Sequence, residues 1–89
     1  SRVVMDGPMG VLTVEDDRLE FCTRFCSDDV TNLLAEMVRR IDVRHVTLRG
    51  DKKPLVKGDY FFQDIMRMSL VPLRAATSLA GIGLTVEGE

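Results

Sequence analysis

One charged stretch of this chain has residue types and spacing suited to binding chemistry. It is RGDKKPLVKGD, residues 49–59, which follows a strand-like run from His45 to Arg49. Arg49, Lys52, Lys53 and Lys57 supply positive charge, Gly50, Pro54 and Gly58 shape the backbone, and Asp51 and Asp59 partly offset the field. In sheets built from strand–helix–strand units, ligands bind beyond the carboxyl ends of the strands, which is where this stretch falls. Arg49, Asp51, Lys52, Lys53 and Lys57 are therefore candidate binding residues for an anion or an acidic partner. The intermixed aspartates predict weak, salt-sensitive contact rather than a tight phosphate cradle. The competing reading is a solvated connection between a strand and a helix.

Catalytic chemistry finds no foothold in the sequence. There is no Gly-x-Ser-x-Gly turn, no His-Glu-x-x-His, no Walker loop and no glycine-rich turn opening a helix. The glycines of "GIG" (81–83) lead into a strand, whereas a phosphate-binding turn leads into a helix. His45 is the lone histidine, and with Cys22 and Cys26 it does not complete a metal site. No catalytic residue, metal or cofactor is expected. Cys22 and Cys26, in "CTRFC", are read as two half-buried thiols or as a local disulfide.

Composition bounds the function classes. At 89 residues the chain makes one domain, with 45% hydrophobic and 29% charged residues. A net charge of −2 provides no global basic field for nucleic acid, and Tyr60, Phe61 and Phe62 cluster together instead of interleaving with basic residues. No apolar run approaches the roughly 20 residues of a membrane span, so membrane contact is expected only through a segment of a parent protein. The chain, running from Ser1 to Gly88-Glu89, is read as a domain of something longer.

The elements that must position these residues follow from periodicity. "GVLTVEDDRLEFC" (10–22) predicts a hairpin turning at Asp16-Asp17, with Glu15 facing Arg18, Val14 facing Leu19, Thr13 facing Glu20 and Leu12 facing Phe21. That register sorts apolar and polar side chains onto opposite faces. Residues 27–41 predict a helix capped by Ser27, with Asp28 and Asp29 at its positive end and Arg39 and Arg40 at its negative end. Its expected apolar stripe is Val30, Leu33, Leu34, Met37, Val38 and Ile41. A strand follows at 45–49. Helical character runs over 60–80, with a break near Ser69–Pro72, and Gly81 ends it before a strand at 82–86. Residues 1–9 are a flexible or edge-strand lead-in, with Gly7-Pro8 and Gly10 marking a break, and 10–89 form the domain.

The expected architecture is α+β: a two-layer sandwich of β-β-α-β-α-β order, with helices on one face of a mixed four-stranded sheet. The strands at 45–49 and 82–86 should be parallel. The strand carrying Ile82, Leu84 and Val86 is a candidate self-association edge, because an open sheet edge is a pairing surface. The function read from these features is a non-catalytic protein-interaction or assembly domain that forms a homodimer. The alternative is a small-ligand or anion-binding regulatory domain of a larger protein.

Two phrases, VTLRGDK (46–52) and AGIGLTVE (80–87), together with the strand order, resemble the periplasmic domain of the ExbD/TolR family. That family couples inner-membrane proton flow to outer-membrane processes. The resemblance implies a non-catalytic domain that dimerises and contacts partner proteins, in the periplasm; without it, a cytoplasmic location is expected. The connection from Lys52 to Gly81, with its added PLVKG and Pro72, is longer than the family's. The family's membrane helix and its proton-carrying aspartate have no counterpart in these residues, so that role transfers to none of them.

Overall fold

The computed structural model describes residues 1–24, 28–50 and 70–87. In chain order they form β1 (Arg2–Gly7), β2 (Gly10–Glu15), β3 (Arg18–Thr23), α1 (Asp28–Arg40), β4 (His45–Gly50), α2 (Val71–Ala80) and β5 (Gly83–Glu87). The strands make one sheet in the order β1-β2-β3-β4-β5. Tight turns make β1–β2 and β2–β3 antiparallel, while β3–β4 and β4–β5 are parallel. Parallel neighbours need a crossover connection. Two right-handed crossovers progressing the same way across a sheet place their helices on one face, and α1 and α2 do pack against each other.

The α+β class and mixed sheet match expectation; the strand count does not. The sheet has five strands where four were expected, because Arg2–Gly7 pairs along its whole length with Gly10–Glu15. The Gly7-Pro8-Met9-Gly10 sequence is a tight turn between two strands, not a break in the sheet. Pro8 presets one turn dihedral, and Gly10 takes a φ of 147°, open chiefly to glycine. At the second turn Asp16 adopts a left-handed φ of 54°, which aspartate tolerates better than most residues. The hairpin register from Leu12↔Phe21 to Glu15↔Arg18 is the one expected.

Helix α1 carries Asp28 and Asp29 in its first turn and Arg39 and Arg40 in its last. Its expected cap, Ser27, lies outside the described residues. The buried face is Val30, Thr31, Leu34, Ala35 and Val38, whereas Leu33 is 55% exposed. The stripe is therefore rotated from the expected one: Leu33 gives way to Thr31 and Ala35. Thr31 can be buried because its hydroxyl donates to the Asp28 carbonyl at 3.2 Å.

Helix α2 has Pro72 in its first turn, where a missing N–H costs no helical bond. Gly81 closes it at φ 69°, and its N–H and that of Ile82 donate to the Ser78 and Thr77 carbonyls. The expected helical residues before Leu70 lie outside the described residues. The last strand is Gly83–Glu87, so Ile82 belongs to the turn before it.

The core lies between sheet and helices. Leu19, Val46 and Leu48 from the sheet meet Val30 and Leu34 of α1 and Leu73 of α2, all at 1% exposure or less. No buried side-chain polar atom among the described residues lacks a partner.

Gly10 is the position where the hairpin tolerates least. A Cβ there would overlap the Cys22 carbonyl oxygen and come within 2.9 Å of the Thr23 Cα, both main-chain atoms of β3. Gly10→Ala is expected to destabilise the domain by about 2 kcal/mol or more, from backbone strain and overpacking. Urea unfolding checks this, with Gly7→Ala as a mild control, since nothing lies within 4 Å of a Cβ at Gly7.

Candidate functional site

The sheet's alternating side chains give it two unlike faces. Leu12, Leu19, Phe21, Val46 and Leu48 point toward the helices and are buried. On the other face, the cross-strand register aligns Thr13, Glu20, Thr47 and Thr85 in one row and Cys22, Arg49 and Glu87 in the next. Arg49 on β4 holds the carboxylate of Glu20 on β3 at 3.2 Å and that of Glu87 on β5 at 2.7 Å. The hydrogen bond from Arg49 Nε to Glu87 and the nearby charge of Glu20 raise the guanidinium pKa above its ordinary value. Arg49 thus ties three adjacent strands together on the outer face. Its charge is directed along the sheet toward these carboxylates. The other candidates of the charged stretch, Asp51, Lys52, Lys53 and Lys57, lie outside the described residues, as does Cys26.

Among the described residues, the two open edges are β1 and β5. Along β5, the Gly83 N–H donates to the Arg44 carbonyl at 3.0 Å. That bond sets the alternation: Gly83, Thr85 and Glu87 turn their main-chain groups to β4, and Leu84 and Val86 turn theirs outward. The side chains of Ile82, Leu84 and Val86 are half-buried and pack on the core. What β5 offers a partner is therefore backbone, while its apolar side chains serve the fold.

Edge β1 differs. Its turn at Pro8-Met9 closes on the pair Gly7↔Gly10, and the next turn closes on Glu15↔Arg18. Closing pairs of two-residue turns are hydrogen-bonded, so Gly10, Leu12 and Val14 bond toward β1, and Val11, Thr13 and Glu15 toward β3. Both turns demand the same alternation. Val3, Met5 and Gly7 accordingly bond to β2, and the N–H and C=O groups of Arg2, Val4 and Asp6 point to the open edge. The side chains of Val3, Val4 and Met5 are 54%, 52% and 56% exposed. Asp6 is anchored by Arg24, whose guanidinium lies 3.5 Å from its carboxylate and donates to the Gly7 carbonyl at 2.9 Å.

Beside this edge, an apolar groove of about 250 Å³ opens between the first turn and α1, lined by Met5, Pro8, Met9, Leu12, Leu33 and Met37. The exposed Leu33 that left the core stripe stands on its wall. No cluster of metal-ligating side chains occurs among the described residues, and no described helix is long and apolar enough to cross a membrane.

No protein-family model, curated protein or solved structure matches this chain. The residues themselves must carry the functional reading.

Sequence reasoning found β5 as an edge through the strand–helix–strand unit. It undervalued β1, whose consecutive Val3, Val4 and Met5 lack the alternation that marks a half-buried strand. The signal available was the flanking Gly7-Pro8-Met9-Gly10, readable as a turn joining two apolar strands.

Replacing Arg49 by Gln leaves Glu20 and Glu87 facing one another across β4 without the cation between them. The expected result is a lower Tm whose deficit shrinks as salt is added, because the added ions screen the repulsion. Thermal scans at low and high ionic strength check it.

Proposed function

We propose that this chain is a non-catalytic assembly domain, joining protein to protein and forming a homodimer through an open edge of its sheet. The observation that supports the reading is the exposed apolar side of β1, where Val3, Val4 and Met5 stand more than half exposed on a strand with one neighbour among the described residues. Open edges of this kind pair with other strands unless charge, proline or a bulge blocks them. Within Arg2–Gly7 there is no proline, the unbroken register with β2 leaves no bulge, and the two charges, Arg2 and Asp6, are opposite in sign and sit toward the two ends of the strand. β5 is the second edge available to such pairing, through the main chain at Leu84 and Val86.

The likeness of VTLRGDK and AGIGLTVE to the ExbD/TolR periplasmic domain supports the same reading, since those domains dimerise and contact partner proteins. On that reading the domain works in the periplasm, and membrane attachment comes from a parent-protein segment. The anion-binding alternative loses one of its cations to the sheet, because Arg49 is already held by two carboxylates.

Light scattering over a concentration series tests the proposal. The weight-average mass should climb from that of one chain toward that of two. A single-chain mass at every concentration contradicts it.

A further inference from the structure

We infer that the partner of β1 is β1 of a second copy, paired antiparallel about a two-fold axis at Val4, so that the two sheets become one continuous sheet. The inference rests on the assembly reading above and names its edge, its register and its partner.

The strand reads Arg2-Val3-Val4-Met5-Asp6. An isologous antiparallel pairing requires the strand to be complementary to its own reverse. With Val4 on the axis, Arg2 of each copy faces Asp6 of the other, Val3 faces Met5, and Val4 faces Val4. Opposite charges meet at both ends, and apolar side chains meet between them. Moving the register by two residues in either direction breaks this match: Arg2 then faces Val4, or Val4 faces Asp6.

The main chain supports the same register independently of the side chains. Arg2, Val4 and Asp6 are the residues whose N–H and C=O groups point to the open edge, as both hairpin turns require. Centring on Val4 makes Val4↔Val4 and both Arg2↔Asp6 pairs hydrogen-bonded pairs, so every outward group of the strand finds a partner. Centring on Val3 would leave the outward groups of Asp6 past the paired stretch, and centring on Met5 would set Arg2 against Pro8, which has no N–H to give.

Exposure and charge agree with this geometry. Arg2 and Asp6 lie on the outer face with Val4, while Val3 and Met5 lie on the helix-side face, so the pairing extends both faces of the sheet. Arg2 has no ion pair among the described residues. Asp6 keeps 67% side-chain exposure while held by Arg24, which leaves its carboxylate open to Arg2 of the second copy. The contact between Val3 and Met5 also covers the methionine that forms one wall of the apolar groove.

Charge reversal tests the register. Arg2→Glu alone sets like charges at both ends of the pairing, and so does Asp6→Arg alone; each should weaken dimerisation by about tenfold or more at low salt. Mixing the two variants should restore the dimer. At one end the introduced glutamate then meets the introduced arginine, and at the other the natural Asp6 of one variant meets the natural Arg2 of the other. Circular dichroism of each variant confirms folding, and Val4→Lys, which leaves the Arg24 contact intact, provides a second disruption of the axis. Recovery on mixing, read by light scattering, supports the inference. A dimer that survives Arg2→Glu and Val4→Lys but is lost with Thr85→Lys, an exposed outer-face position of β5, in a variant that circular dichroism shows to be folded, would overturn it and move the contact to β5, with the assembly reading intact. A wild-type chain that stays single at all concentrations would overturn both.

Discussion

The width that the two described helices can cover governs the described part of this molecule. Packed helices lie about 10 Å apart and strands about 4.8 Å apart, so two helices cover roughly four strands. The sheet has five. Burial follows that limit: Leu12, Leu19, Phe21, Val46 and Leu48 are enclosed, and Leu84 and Val86 are half-enclosed at one margin. On the other margin, Val3 and Met5 face the same way as Leu12 and Val14 but remain more than half exposed. The fifth strand adds apolar surface that the two described helices do not reach.

That limit also separates the roles of the edges. β5 belongs to the covered part of the sheet, and its side chains are used in packing, with Arg49 and Glu87 fastening it to β4. β1 is attached by its ladder to β2, by the turn at Gly10 and by the bridge from Arg24 to Asp6. A change at Leu84 or Val86 therefore disturbs the fold and any pairing together. On β1, the outward positions can be altered with little cost to the core, which makes it the edge on which stability and association can be separated.

Local patterns made much of the fold legible. The hairpin could be read pair by pair because a one-residue slip would have moved Leu12, Val14, Leu19 and Phe21 to the polar face. The helix of residues 28–40 announced itself through its end charges, and Gly81 through the left-handed closure it permits. Leu33 was misplaced because an apolar residue at helical spacing counts as core until the neighbouring elements show which side is covered. Thr31 took a core position because its hydroxyl satisfies itself on its own helix. Gly7-Pro8 misled for a related reason: the residues that end strands are also those that join them tightly. The ion pairs of Arg49 depend on which strands become neighbours, and no local window contains that information.

If the outward backbone of β1 is a pairing surface for itself, amide hydrogen exchange reads it residue by residue. The amides of Val3 and Met5 bond to β2 and should be protected at every concentration. The amides of Val4 and Asp6 point away from β2, so their protection should rise with concentration in step with dimer formation. If Val4 and Asp6 exchange freely at all concentrations while Val3 and Met5 stay protected, β1 is an unpaired edge and self-pairing through it is contradicted.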